Sequence, residues 1–365
     1  MSSEYSRTLT IGDREIGDHK PTYVIAEIGH NHQGNVDQAM QLIDEARRAG
    51  AHAVKTQKRD NRSLYTREMF DKPYENENSF GASYGEHREA LEFGRAEYEE
   101  LIAYSKRQGV TFFATAFDIP SADFLAELDM PAYKIASADV LNTPLLRYVA
   151  QIGKPTIIST GGARLEDVKR AHEVFAEINP HVALLQCTAG YPAAWEELDL
   201  RVIETYRELF PDTVIGLSSH DNGIAMAVAA HVLGSRIVEK HFTLDRVMKG
   251  TDHRFSLEPQ GLRKMCRDLD RLHIALGDGA KRVHESEVAP ITKMAKKIVA
   301  ARDLPAGHVL TEGDLALKSP GDGLPGYEVE RVVGRTLIRP VLEDAALTFE
   351  VLEGAPAPLA AGYGD

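Results

Sequence analysis

The sequence predicts an α/β protein: a closed (β/α)8 TIM barrel followed by a small β-rich domain. Three observations carry that expectation. Between residues 22 and 277, eight short apolar, β-branched runs alternate with eight helix-period segments. Seven of the eight are continuous apolar runs with a few polar residues near the C-terminal end, as parallel strands covered by helices should be. After Gly277 the alternation stops, and short strand-like runs appear between Gly/Pro turns. Eight units over about 250 residues is the length and count of a closed barrel. The rival, an open doubly wound sheet, is disfavoured by even spacing and by the lack of a Gly-rich first turn.

Taken in order, Thr8–Ile16 (TLTIGDREI) reads as a hairpin placed to cover the barrel floor. The strands follow at 22–28, 53–57, 111–116, 132–137, 155–159, 182–187, 213–218 and 236–241. Helices fall at 36–49, 95–108, 120–128, 143–152, 164–178, 199–209, 222–233 and 259–276. The barrel domain is expected over 1–280, with a polar, proline-terminated linker at 281–290. Residues 291–354 form the second domain, small enough to lean on a neighbour for stability. Residues 355–365 (APAPLAAGYGD) read as a disordered tail.

Composition narrows the function. The 365 residues carry 42 Lys+Arg against 55 Asp+Glu, a net charge of −13. Nucleic-acid and anionic-membrane partners need a basic surface, so neither is expected. Two cysteines, Cys187 and Cys266, cannot form a disulfide framework. The first twenty residues carry Glu4, Asp13, Glu15 and Asp18 without the apolar core of a signal peptide, and no run of about 18 apolar residues exists. A soluble, cytoplasmic protein is expected. Any anionic ligand must be held by a local cluster against an unfavourable overall field.

In a closed barrel the chemistry collects at the C-terminal ends of the strands. Read there, strand 1 supplies Glu27 and strand 2 Lys55 and Gln57. Strand 3 gives Thr115 and Asp118, and strand 4 gives Lys134 and Ser137. Strand 5 ends in Ser159-Thr160-Gly161-Gly162, strand 6 in Gln186 and Thr188 with Tyr191 beyond. Strand 7 ends in Ser218-Ser219-His220 and strand 8 in Glu239-Lys240-His241. Either lysine alone reads as a strand-end ammonium paired to a carboxylate; the two together suggest an anion, which a buried lysine needs to stay charged. The Ser-Thr-Gly-Gly run is a plain turn or an anion site of hydroxyls and free N–H groups. His220 and His241 are hydrogen-bonded core residues or, with Glu239 near, ligands of a divalent metal.

At these same residues the sequence resembles the sialic acid (N-acetylneuraminate) synthases. The likeness is carried by Glu27-Ile28-Gly29-His30-Asn31-His32-Gln33-Gly34, Val54-Lys55-Thr56-Gln57, Lys134-Ile135-Ala136-Ser137 and Ile158-Ser159-Thr160-Gly161. It continues through Gln186-Cys187-Thr188-Ala189-Gly190-Tyr191-Pro192, Ile215-Gly216-Leu217-Ser218-Ser219-His220, Val238-Glu239-Lys240-His241-Phe242-Thr243, and the block from Lys249 through Asp252 to Pro259. It spans about 20–354, and the small domain looks like the antifreeze-like SAF module, a β-clip, that the family appends to its barrel.

The resemblance implies condensation of phosphoenolpyruvate with an open-chain amino-sugar aldose, namely N-acetylmannosamine, its 6-phosphate or a relative. It implies phosphoenolpyruvate held by Lys55, Thr115, Lys134, Ser137, Ser159 and Ser218, and Mn²⁺ or Mg²⁺ bound by His220 and His241. The sugar would meet Glu27, Gln57, Tyr191 and Asp252, with Glu27 and Glu239 as candidate proton-handling carboxylates. It also implies a domain-swapped homodimer in which the SAF module of one chain caps the other's site. Two features depart from the pattern. Bacterial members carry Arg-Pro-Gly in the SAF module where this chain has Lys318-Ser319-Pro320-Gly321, leaving Lys318 as the substitute cation. The loop after strand 2, with Lys72-Pro73-Tyr74 and Tyr84-Gly85-Glu86-His87, is closer to vertebrate-type synthases that take 6-phosphorylated sugars. Two other classes remain: a metal-dependent aldolase or lyase on the same barrel, and a carbohydrate-binding protein without chemistry.

Overall fold

Eight parallel strands close on themselves, each hydrogen-bonded to the next in chain order. They are β1 (Tyr23–Gly29), β2 (Ala53–Lys58), β3 (Thr111–Ala116), β4 (Tyr133–Ile135), β5 (Thr156–Ser159), β6 (Val182–Cys187), β7 (Val214–Ser219) and β8 (Ile237–His241). The structure, a computed structural model, describes residues 7–354; the expected tail at 355–365 lies outside the described residues. The chain divides into two compact units, Met1–Gly277 and Asp278–Asp365.

The covering helices are α1 (Val36–Ala49), α2 (Arg95–Gln108), α3 (Ile119–Glu127), α4 (Thr143–Ile152), α5 (Leu165–Ala176), α6 (Val202–Leu209), α7 (Ala225–Val232) and α8 (Pro259–Ala275). Local chemistry sets their ends. The Asn35 side chain accepts from Gln38 N–H to start α1, and Gly50 stops it at φ 97°, where a side chain would be strained. Between those caps Ala39, Leu42, Ile43 and Ala46 recur at helical spacing and are buried. The outward strand residues Val24, Ala26, Ile28, Val54, Phe112, Ala114, Ile158, Leu184, Leu217 and Val238 pack against these helices in one apolar layer.

The opposite strand face fills the cylinder. Tyr23, Ile25, Ala53, Phe113, Ala132, Ile157, Ala183, Leu185, Val214 and Ile237 make a second apolar cluster, completed from outside by Leu9, Ile11 and Ile16. Those three come from the antiparallel hairpin Thr8–Ile11/Arg14–Gly17, which fills the barrel floor as its alternation suggests. Gly216 is required inside: a Cβ there would lie 2.4 Å from Leu185 Cδ2 and 2.6 Å from the Ile237 carbonyl.

Three stretches differ from the sequence reading. The fourth strand is three residues rather than six, because the chain turns at Ala136 into a 3-10 turn, Ser137–Asp139. The long loop after β2 contains short helices Asn61–Leu64, Arg67–Asp71 and Tyr84–Glu89, capped by the side chains of Asp60, Thr66 and Ser83. The segment expected as linker, 281–290, is half helical: Glu285–Met294 starts where the Glu287 carboxylate accepts from His284 N–H (2.8 Å) and continues through Pro290. Its polar composition and proline suggested a coil, and the returning carboxylate supplies the missing start.

The second unit pairs Lys297–Ala300 with Leu315–Lys318 as an antiparallel ribbon. Its core gathers Ile298, Ala300, Leu304, Leu310, Val332, Leu337, Val341 and Leu347. Beneath the turn, the buried Asp314 carboxylate accepts from Arg302 (2.7 Å), His308 (2.8 Å), Thr311 N–H (2.9 Å) and Thr311 Oγ1 (2.7 Å). No helix among the described residues is long and apolar enough to cross a membrane.

Candidate active site

Strand alternation decides which polar residues reach the barrel interior. In β1 the inward series Tyr23, Ile25 continues to Glu27; in β2, Ala53 continues to Lys55 and then Gln57. The same parity brings in Thr115, Lys134, Ser159, Cys187, Ser218, Glu239 and His241. Ladder pairing sets neighbours: Glu27 faces Lys55, Thr115 faces Lys134, Ser218 faces both Cys187 and Glu239, and His241 faces Glu27. The result is a cavity of about 640 Å³ lined by every one of the candidates: Glu27, Lys55, Gln57, Thr115, Lys134, Ser137, Ser159, Tyr191, Ser218, His220, Glu239, His241 and Asp252.

Its deepest polar layer is a set of opposed charges. Lys55 Nζ pairs with Glu27 Oε2 and donates to Thr115 Oγ1 (2.7 Å); Glu27 Oε1 accepts from Gln57 Nε2 (2.8 Å). Lys134 donates to the Ile135 carbonyl (2.8 Å) and stands 3.9 Å from Glu239, which accepts from Ser218 Oγ (3.1 Å). Burial raises the Glu27 pKa to about 7, with Lys55 opposing and Glu239 reinforcing. For Glu239, burial would push upward, but Lys134, Lys55 and His241 outweigh it and hold the carboxyl below its usual value. Burial also depresses Lys134, which Glu239 partly offsets. One carboxylate is therefore poised near neutrality and the other is kept ionised. Ser159 Oγ and Glu239 Oε2 are buried here without a hydrogen-bond partner, while Ser137 Oγ accepts from Gly161 N–H (2.9 Å).

Nearer the opening stand two imidazoles, with ring centroids 5.3 Å apart. His220 Nδ1 contacts the Thr188 carbonyl at 2.8 Å, which fixes the proton there and leaves Nε2 a lone pair. Burial, then His241, lowers the His220 pKa to about 4; burial also lowers that of His241. Both rings are therefore neutral at pH 7, the form that binds metals. His241 Nδ1 makes no hydrogen bond and lies 3.6 Å from Asp252 Oδ2; the Tyr191 ring, 59% exposed, is tilted by 38° against that of His220 with centroids 4.2 Å apart. Among the described residues no three His, Cys, Asp or Glu side chains gather at metal-binding spacing. His220 and His241 are the residues that would hold a cation here.

Some strand-end residues stay out of the cavity. Lys240 pairs with Asp221 (2.9 Å), Ser219 donates to the same carboxylate, and Asp118 caps α3 through Ser121 N–H (2.7 Å). Thr160 donates to the Leu185 carbonyl (2.9 Å), Gln186 to Leu198 (3.1 Å) and Thr188 to Glu197 (2.7 Å). Lys240, Ser219 and Gln186 have the wrong parity, a signal already present in the sequence. Conversely, Arg59, Tyr74, Tyr84, Arg88, Phe117, Cys187 and Thr251 line the cavity without having been singled out as site residues. Cys187 follows from parity; Tyr74, Tyr84 and Arg88 arrive only because the loop after β2 folds back. In the second unit Lys318 Nζ is paired with Asp344.

Two buried lysines, the unpartnered Ser159 hydroxyl and two imidazoles are thus gathered in one cavity at the strand ends of a closed β/α barrel. The chain belongs to the NeuB family, whose model matches residues 42–281, and a SAF domain matches 297–353. It is 38% identical to the N-acetylneuraminate-9-phosphate synthase of Homo sapiens over 93% of this chain and 95% of that protein. It is 34% identical to the N,N'-diacetyllegionaminic acid synthase of Campylobacter jejuni, covering 89% and 98%. The crystal structure of N-acetylneuraminic acid synthetase from Leptospira borgpetersenii, in complex with citrate, superposes with a TM-score of 0.69 at 32% identity, covering 79% of this chain and 96% of that one.

Proposed function

We propose that this chain is a nonulosonate synthase: it joins phosphoenolpyruvate to the open-chain aldehyde of N-acetylmannosamine, its 6-phosphate or a related aldose, and releases phosphate. The observation that carries the reading is the deep layer of Lys55, Lys134 and the unpartnered Ser159 in one cavity with His220 and His241. A donor with a carboxylate and a phosphate requires such a cluster in a chain of net charge −13. Lys55, Thr115, Lys134, Ser137, Ser159 and Ser218 hold it, and Glu27, with its pKa near 7, takes up a proton as Lys55 turns from its carboxylate to the donor. Gln57, Tyr191 and Asp252 orient the sugar.

A divalent cation, Mn²⁺ or Mg²⁺, held by His220 and His241 would supply Lewis-acid polarisation of the acceptor aldehyde. The Thr188 carbonyl keeps His220 in the tautomer that such binding needs. Carbon–carbon bonding between the donor C3 and the aldehyde carbon leaves positive character at the donor C2. The Glu239 carboxylate, held ionised, stabilises that charge. Water then adds at C2 and gives up a proton, and the former aldehyde oxygen gains one to become a hydroxyl. Breaking of the C2–O bond to phosphate forms the C2 carbonyl of the keto acid.

The SAF module caps the barrel of a second copy in this reading. Leu317, Tyr327, Ile338 and Leu342 stand exposed on the small unit and would be covered in such a dimer. Deleting 291–365 is then expected to leave a folded but poorly active barrel that sediments as a monomer. The central test is phosphate release with Mn²⁺, phosphoenolpyruvate and each acceptor. Stoichiometric phosphate and a nonulosonate product are expected; pyruvate-forming cleavage of a nonulosonate without phosphate release would replace this reading with a lyase.

A further inference from the structure

One wall of the cavity carries two guanidinium groups that the chemistry above does not use. Arg59 lies just past β2 and Arg88 on the short helix Tyr84–Glu89; both line the cavity beside Gln57, Tyr84 and Asp252. His30 sits between them. Arg59 Nη1 is 3.0 Å from His30 Nε2, and Arg88 Nη1 is 3.2 Å from His30 Nδ1. Burial, then the two guanidiniums, hold the His30 pKa well below the usual imidazole value, so the ring is neutral.

A neutral imidazole has one N–H and one acceptor nitrogen, whereas a guanidinium only donates. Two donors therefore face a ring that can accept from one of them, and the other contact is donor against donor. The surroundings do not repair this. Arg59 Nη2 donates to Gln57 Oε1 (2.6 Å), but its buried Nε has no partner. Arg88 spends Nε and Nη2 on the Tyr84 hydroxyl (3.0 and 2.8 Å). The Glu92 carboxylate is 3.9 Å from Arg59 and is shared with Lys58 (3.2 Å) and His30 (3.6 Å). Asp252 acts on Arg88 through space but faces His241. Glu92 Oε1 stands too far off to bond Arg59 or His30 and makes no hydrogen bond. Arg88 is half-buried, with its charge favoured against burial by Tyr84, Tyr65 and Asp252. The unmet demand is therefore for an acceptor at Arg59 Nε and at the two Nη1 groups that meet on His30.

We infer that Arg59 and Arg88 form a second anion subsite, which receives a phosphomonoester carried by the acceptor sugar. A phosphomonoester offers three acceptor oxygens and a charge near −2, matching two forked donors and relieving the clash at His30. A sugar hydroxyl brings a donor of its own and no charge. The donor's anionic groups are already matched by Lys55, Lys134 and the serines. The inference rests on the synthase reading above and fixes its acceptor class.

The test compares N-acetylmannosamine 6-phosphate with N-acetylmannosamine in the full-length protein with Mn²⁺ and phosphoenolpyruvate, by phosphate release. The wild type is expected to favour the phosphorylated acceptor at least 100-fold in kcat/KM. Arg88→Gln and Arg59→Gln should each cut that ratio by about 10- to 100-fold through loss of a charge-assisted bond. Arg88→Lys, which keeps the charge but not the fork, should fall between wild type and Arg88→Gln. The KM for phosphoenolpyruvate, which a general loss of structure would also raise, should not follow the ratio. Equal use of both acceptors, or variants that weaken both acceptors alike, would overturn the subsite while leaving the synthase reading intact. Absence of phosphate release with either acceptor would remove both. Inorganic phosphate provides a further arm: inhibition that Arg88→Gln abolishes, without discrimination between acceptors, would assign the site to free phosphate and defeat the proposal.

Discussion

At the scale of single residues, the deep layer sorts itself by what each group lacks. Lys134 has one hydrogen bond for three N–H donors, and Ser159 has none. Replacing either lysine with Ala is expected to raise the KM for phosphoenolpyruvate by about 10- to 100-fold, the worth of one charge-assisted contact; steady-state kinetics at saturating acceptor reads this. His220→Ala and His241→Ala should lose Mn²⁺ binding by electron paramagnetic resonance together with turnover, and retained binding in both would remove the ligand assignment. Gly216→Ala forces a Cβ against Leu185 and the Ile237 carbonyl, so a loss of about 1–3 kcal/mol in denaturant unfolding is expected. Lys55, Lys134, the serines and both histidines were legible in the sequence because each ends an apolar strand. Arg59 and Arg88 were not: a charge beyond a strand end or on a short helix has no periodicity to mark it as inward.

At the scale of elements, strand and helix limits were readable because capping chemistry and apolar runs are local signals. The short helices after β2 were not, since each owes its position to side-chain caps and to contacts such as Gly85 against the Phe70 ring. A Cβ on Gly85 would lie 2.3 Å from that ring. Gly85→Ala should therefore displace the element carrying Arg88, with greater susceptibility to proteolysis at 72–90. In the small unit, the hydrogen bonds from His308, Thr311 and Arg302 depress the Asp314 pKa below its ordinary value of 3.8. A depressed carboxyl contributes stability that is complete above the ordinary value and is lost as pH falls through the folded one. Protection of the Lys297–Ala300 amides from hydrogen exchange should accordingly fall between pH 4 and lower values. Asp314→Asn should remove that dependence and cost about 1–3 kcal/mol at pH 7.

At the scale of the whole molecule, the barrel and the SAF module were visible as a change of rhythm at Gly277, whereas the helix at Glu285–Met294 was masked by its polar composition. The hairpin shows the reach of the apolar pattern: Leu9, Ile11 and Ile16 alternate inward and complete the floor. Ile11→Asp would bury a charge there at a cost of several kcal/mol, and loss of the cooperative thermal transition by circular dichroism is expected. That stopper also imposes an order of traffic. Lys55 lies two residues, roughly 6–7 Å, below Gln57 along the same strand, so on the proposed assignment the donor occupies the bottom of a blind well and the sugar lies across it. First in must then be last out. An alditol, which mimics the sugar but has no aldehyde, should inhibit uncompetitively toward phosphoenolpyruvate, and a competitive pattern would mean that the well has another way in.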